Sequence, residues 1–182
     1  IYTLANLRSL MTEDLRQAEV MIDRLIVYLR SALAASRSES TTLAGEFAQL
    51  RAYLDIMSIR MGTRLNYRLE LPADLDDTAI PPMLLQPIVE NAIKHGIEPK
   101  VGPGSIEVLA RRSDAGIEIL VNDSGLGLPP EGGASEMPHS AAGSYGLVHV
   151  RERLQAVYGA KASMQIKPRS PNGVSATITI PE

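Results

Sequence analysis

Gln86-Pro87-Ile88-Val89-Glu90-Asn91-Ala92-Ile93-Lys94-His95-Gly96 is the stretch on which the reading of this chain turns. Pro81-Pro82 just ahead of it suits the entry to a helix, and Gly96 suits a helix C-terminus. On a helix, Leu85, Ile88, Val89 and Ala92 share one apolar stripe by their i, i+3, i+4, i+7 spacing. Asn91, Lys94 and His95 gather on another face, being three and four apart. A carboxamide, an ammonium and an imidazole beside an apolar stripe suit a site for a metal ion and phosphates. A solvated polar face is the plainer explanation, and the other motifs decide between the two.

Composition sets the frame around this helix. The chain has 182 residues, 45% of them apolar, enough for one domain with a small helical appendage. With no Trp and one Phe, its core must be aliphatic. The net charge of −3 and the lack of a Lys/Arg run give no nucleic-acid footprint. The absence of Cys excludes disulfides and thiolate metal sites, and it suits a reducing compartment. No apolar run reaches the ~18 residues of a membrane span. No signal peptide is visible. The chain opens at Ile1 in a helix-like pattern without Met, so a fragment of a longer protein is expected, with any membrane spans in the missing part.

Upstream of the central helix, residues 1–11 carry Leu4, Leu7, Leu10 and Met11 and read as the tail of a helix. Thr12-Glu13-Asp14 reads as a turn and N-cap. Leu15, Ala18, Ile22, Leu25, Leu29 and Ala32 then form a heptad seam. A helical hairpin with so little core of its own is expected to dimerise, the alternative being that it packs only on the rest of this chain. Residues 34–42 are rich in Ser and Thr and read as a linker, dividing the chain into 1–38 and 39–182. Leu43, Phe47, Leu50, Leu54, Met57 and Met61 predict a buried helix stopped by Gly62. Leu65–Leu71 alternates with period two and predicts a strand, followed by a loop from Pro72 to Pro82.

Downstream, Ser105–Arg112 and Ile117–Asn122 predict a hairpin turning at Asp114-Ala115-Gly116. Asp123 to Ala142 has no periodicity and reads as a functional lid. Leu147, Val150, Leu154 and Val157 mark a helix ending at Gly159. Ala162–Lys167 and Val174–Ile180 predict two last strands. The expected fold is α+β: a mixed sheet with helices on one face, preceded by a helical hairpin.

Two further motifs carry chemistry. Asp123-Ser124-Gly125-Leu126-Gly127 follows a strand directly, so its glycines let backbone approach a ligand beside an acidic acceptor. A buried carboxylate there can accept from an exocyclic amine such as that of adenine. A turn whose Asp serves only its own backbone is the plainer explanation. Gly143-Ser144-Tyr145-Gly146-Leu147 opens a helix, where free N–H groups and the dipole favour phosphate. His139 and His149 read as surface residues, no zinc-ligand spacing occurs, and no Gly-x-Ser-x-Gly elbow is present.

In this order the three motifs resemble the nucleotide-binding domain shared by sensor histidine kinases, DNA gyrase, heat-shock chaperones and mismatch-repair ATPases. The resemblance covers essentially the whole chain and is closest to bacterial sensor histidine kinases of the autolysin-regulator type. Thr42-Leu43 through Tyr53-Leu54-Asp55-Ile56 and Arg60-Met61-Gly62, Pro81-Pro82-Met83-Leu84-Leu85-Gln86-Pro87 into Glu90-Asn91-Ala92, and Gly146-Leu147 with Val150-Arg151-Glu152-Arg153-Leu154 carry it. It implies that Asn91 coordinates Mg²⁺ at the phosphates of ATP, and that Lys94 and His95 contact phosphate oxygens. Asp123 would take the adenine amine, with Gly125 and Gly127 leaving room for the base. Gly143, Gly146 and Leu147 would stand at the phosphates under a lid from Ser124 to Ala142. It also implies a homodimer through the N-terminal helices, phosphoryl transfer to a His on that hairpin, and onward transfer to an Asp of a response regulator. The place would be the cytoplasmic side of an inner-membrane sensor.

This sequence departs from the family pattern at several places. The acceptor His is not present, and Tyr2 stands where Asn is usual, so the chain as given is expected to bind ATP without phosphorylating itself. Ala142 and Ser144 replace usual glycines. Pro87 occupies the position of the catalytic Glu of gyrase-like ATPases, which argues against water activation of that kind. Glu90 either helps the transfer or pairs with Lys94 at i+4. A nucleotide-binding dimeric regulator without phosphotransfer is the alternative.

Overall fold

A computed structural model describes residues 11–12, 14–36, 38–128 and 143–182, without the side chains of 31, 34–36 and 143–145. Residues 1–10 of the helix predicted over 1–11, and most of the predicted lid, including His139 and Ala142, lie outside the described residues.

Helix α1 (Leu15–Ser36) starts where the sequence placed its cap. The Asp14 carboxylate accepts from the Gln17 N–H at 3.1 Å, satisfying an orphan donor of the first turn. The predicted seam is split between two faces. Ala18 and Met21 are buried and Leu25, Tyr28 and Ala32 half-buried, a 3-4-3-4 stripe on a helix that lies along α2. Leu15, Ile22 and Leu29 of the expected seam are exposed, together with Ile26. The helix is apolar on two sides, and one periodicity cannot tell which side meets which neighbour.

α1 runs three residues into the predicted linker, and Thr41–Thr42 forms a short strand, β1. It pairs antiparallel with β3 (Ala79–Ile80), inside the stretch read as a loop. Two-residue strands are too short to show a period. Thr42 also caps α2 (Leu43–Met61) through a bond from Gly45 N–H at 3.1 Å. Gly62 ends α2 at φ +58, a conformation that suits glycine.

The main sheet has the order β2-β4-β5-β7-β6. Its strands are β2 (Leu65–Glu70), β4 (Gly104–Ser113), β5 (Gly116–Asp123), β6 (Ser163–Pro168) and β7 (Val174–Ile180). β2 runs parallel to β4, and the other pairs are antiparallel, so the sheet is mixed as expected. Ile106, Val108, Ala110, Ile117, Ile119, Val121, Ala176, Ile178 and Ile180 are all buried. Their neighbours in sequence, among them Glu107, Glu118, Thr177 and Thr179, are only half-buried on the opposite face. Period-two alternation has sorted one face toward the helices.

Two further helices complete the layer. α3 is α-helical over Gln86–Asn91 and widens into a π-turn over Ala92–Ile97. α4 (Gly143–Tyr158) lies beside it. α3 buries Leu85, Ile88, Val89 and Ala92 as the stripe predicts, and adds Ile93 and Ile97.

Candidate nucleotide-binding site

Asp123 is the last residue of β5, placed by the register that pairs it with Ile106. Its residue is 3% exposed, and its Oδ1 accepts from Gly125 N–H at 2.8 Å. Burial pushes the Asp123 carboxyl up from its ordinary value. Bonds from the Gly125 and Val174 N–H groups, with the charges of Arg169 and Lys100, pull it part of the way back.

The backbone around this carboxylate is packed to glycine tolerance. A Cβ on Gly125 would lie 2.3 Å from Gly96 Cα, and one on Gly96 would lie 3.0 Å from Asp123 Oδ1. Gly96 is therefore not the helix terminator that its position suggested. The helix passes through it to Ile97, and its missing side chain makes room for the strand end. The π-turn at this point, closed by Glu98 N–H on Ile93 O at 2.8 Å, follows the tendency of such bulges to occur at functional sites. Leu126 N–H donates to Gly96 O at 3.1 Å, and Lys100 Nζ to Ser124 O at 2.6 Å. Ser124 Oγ accepts from Ser105 N–H at 2.8 Å. These bonds pin the start of the predicted lid to α3 and β4. Gly127 sits at φ +86, open to glycine, in the same loop.

Asn91 stands five residues before Gly96 on α3, and its Oδ1 is buried with no hydrogen-bond partner among the described residues. A buried carbonyl oxygen left unpaired is a cost the fold keeps only for a reason. Lys94 and His95 follow on the same helix and are exposed. Glu90 is also exposed; its Oε1 accepts from Gln86 Nε2 at 2.6 Å, and no ion pair with Lys94 forms among the described residues. Gly146 and Leu147 lie in the first turns of α4, half-buried, and a Cβ on Gly146 would come within 3.3 Å of Pro87 Cβ. Gly143 begins that helix. His149 is exposed and faces Glu152 at 3.2 Å, as a surface residue does.

Sequence reasoning missed the residue that seats α3. Glu46 of α2 is 2% exposed, and its carboxylate accepts from the N–H groups of Met83 (2.6 Å), Leu84 (2.9 Å) and Leu85 (3.0 Å). Met83 is held at φ +56, unusual for a residue with a side chain. Charge-assisted bonds to the three amides offset that strain. Burial still pushes the Glu46 carboxyl up against those bonds and Arg153. Arg153 of α4 donates to Pro82 O in the same segment. The signal was present: Glu46 lies three residues after Leu43 and four before Leu50, an acid inside an apolar stripe.

The arrangement offers a buried carboxylate acceptor beside close-packed glycine backbone, chemistry suited to an exocyclic amine. Beside it lie the exposed Lys94 ammonium, the exposed His95 ring and one orphaned oxygen. Fold and site define an ATPase-type nucleotide-binding domain. The chain belongs to the histidine kinase-, DNA gyrase B- and HSP90-like ATPase family, whose profile matches residues 78–182. A histidine kinase profile matches residues 1–65. The chain is similar to the sensor protein LytS of Bacillus subtilis, 28% identical over 92% of this chain and 29% of the relative. It is also similar to the sensor histidine kinase BtsS of Escherichia coli, 29% identical over 98% of this chain and 30% of the relative. It thus spans less than a third of the length of these relatives. The histidine kinase domain of the blue-light activated histidine kinase of Erythrobacter litoralis shares its fold at TM-score 0.57 and 16% identity, covering 91% of this chain and 74% of that one. A bacterial phosphotransferase does so at TM-score 0.59 and 16% identity, covering 97% and 85%.

Proposed function

We propose that this chain is the ATP-binding catalytic and dimerisation part of a two-component sensor histidine kinase. It passes the γ-phosphate of ATP to a His on the N-terminal helices, from which an Asp of a response regulator takes it. The observation that carries the reading is the buried Asp123 carboxylate walled by Gly96 and Gly125. The adenine amine donates to that carboxylate, and a Cβ added at Gly125 or Gly96 would meet the Gly96 backbone or the carboxylate itself, displacing the acceptor from its place.

Asn91 fits a Mg²⁺ ion: its orphaned Oδ1 is a hard oxygen donor. No cluster of three or more His, Asp or Glu residues suited to a metal occurs among the described residues. That suits Mg²⁺, which is held by one or two protein oxygens together with substrate phosphates. When bound, the ion neutralises charge on the phosphates. Lys94 adds positive charge and His95 a ring N–H donor on the same flank, and Gly143, Gly146 and Leu147 bring the N-terminal end of α4 to the phosphates. Positioning and charge neutralisation are most of what phosphoryl transfer asks of a protein.

The exposed stripe of Leu15, Ile22, Ile26 and Leu29 on α1 supports a homodimer through the N-terminal helices. No helix among the described residues is long and apolar enough to cross a membrane. A cytoplasmic place below a membrane sensor goes with the reading. The test is phosphotransfer from γ-labelled ATP with the chain extended upstream through its native sequence. Label retained on the protein, lost in acid and stable in base, is the expected result. Tight ATP binding with no label would instead favour a dimeric nucleotide-binding regulator.

A further inference from the structure

Glu90 is the only carboxylate on α3 through Ile97, and its partner belongs to a network that leads away from the site. Gln86 is 3% exposed and satisfied at both ends. Its Nε2 donates to Glu90 Oε1 at 2.6 Å and to the Tyr28 hydroxyl of α1, and its Oε1 accepts from Gln49 Nε2 of α2 at 2.6 Å. An ionised carboxylate only accepts, so the nitrogen end of Gln86 must face Glu90. That choice leaves the oxygen end for Gln49. One side chain therefore joins α1, α2 and the residue next to Asn91.

Tyr28 is well placed for a lasting contact. Its ring lies 5.9 Å from that of Tyr53 on α2, tilted by 43°. Burial, and then the Glu90 charge, push its hydroxyl pKa up against the pull of the Gln86 bond, so it stays protonated at neutral pH.

We propose that Gln86 is a positioning residue for phosphoryl transfer, holding Glu90 beside Asn91 and, through Tyr28, making that hold depend on where α1 sits. The proposal rests on the kinase reading above and adds to it a route from the dimerisation helices to the phosphate flank. When α1 rotates or slides, the Tyr28 hydroxyl leaves Gln86, the carboxamide turns to find another acceptor, and Glu90 loses its fixed position.

The test uses the full-length natural protein and two readouts: the dissociation constant of Mg-ATP, and the single-turnover rate of label transfer at saturating ATP. Gln86→Met and Glu90→Gln should each slow transfer by about 10- to 100-fold, the scale of a misplaced group, with ATP affinity within about threefold of wild type. The double variant should be no slower than the slower single, because Gln86 acts through Glu90. Tyr28→Phe removes one oxygen and should cause a smaller loss of rate that vanishes in the Gln86→Met background. Should Gln86→Met not fold, Tyr28→Phe against Glu90→Gln carries the same comparison. Additive losses, an equal loss of ATP affinity, or an unchanged rate in either Gln86→Met or Tyr28→Phe would overturn the proposal. A wild-type protein that binds no ATP or transfers no label removes the parent reading, and this one with it.

Discussion

The two ends of the site are built in opposite ways. At the Asp123 end, backbone meets backbone: Gly125 lies on Gly96, Leu126 bonds to Gly96 O, and the carboxylate already holds an N–H. At the Asn91 end, the polar groups are side chains, exposed at Lys94 and His95 and unpaired at Asn91 Oδ1. The first end is shaped by folding, and the second is completed by what binds. Substitutions at the two ends should therefore differ in kind: a Cβ added beside Asp123 disturbs the fold as well as binding, and truncation at Asn91, Lys94 or His95 disturbs binding alone.

The largest effect is expected from Gly125→Ala. Its Cβ would meet the Gly96 backbone at 2.3 Å, and no flexible side chain is there to yield. Thermal or denaturant unfolding should show a loss of about 1–3 kcal/mol, with nucleotide binding lost as well. A stable Gly125→Ala that still binds ATP would break the claim that this end is shaped by backbone contact.

Asp123→Asn comes next, and it separates binding from folding at the same end. Losing the charged acceptor should weaken ATP binding by about 10- to 100-fold, from ~1.5–3 kcal/mol for a hydrogen bond to a charged group. Stability at neutral pH should hold or rise. The folded carboxyl has a raised pKa, so its contribution to stability is present below the unfolded value and lost as pH rises through the folded one. ATP affinity in the wild type should move the other way. Binding needs the ionised form, so affinity falls on acidification, beginning above the ordinary carboxylate range. Calorimetric titration across pH, in wild type and Asp123→Asn, checks both signs.

Asn91→Ala should leave stability within about 0.5 kcal/mol or raise it, because it removes an unpaired buried oxygen. It should abolish the Mg²⁺ dependence of ATP binding. A marked fall in unfolding temperature would mean that Asn91 serves the fold, and the contrast between the ends would fail. The smallest effects belong to Lys94→Ala and His95→Ala. Each should change stability by less than about 0.5 kcal/mol, as exposed substitutions do. Each should also weaken ATP more than ADP, by a few-fold, if it faces the terminal phosphate.

Much of the architecture was legible in advance. The limits of α2 and β7, the β4–β5 hairpin and the apolar stripe of α3 follow from periods of 3.6 and 2 and from the glycines that interrupt them. Asp123 at a strand end was legible for the same reason, since the strand and its stop are local. Three features resisted. Gly96 read as a terminator because its true neighbour, Gly125, is twenty-nine positions away. The seam of α1 was drawn as one stripe because its partner helix was unknown. Gln86 drew no notice among the site residues, although its spacing to Glu90 is that of an i, i+4 pair.

The short β1–β3 pair and the π-turn aside, the sequence by itself determined the main helices, the five strands of the large sheet and the family to which the chain belongs. All of these are written in local spacing and residue type. Only the tertiary structure decided that Gly96 makes room for Asp123, that Glu46 seats α3 from another helix, and that Gln86 ties Glu90 to α1. Each of these is a contact between segments far apart in the chain. A local period records which side of an element is apolar or polar, but not which group it will meet across the fold.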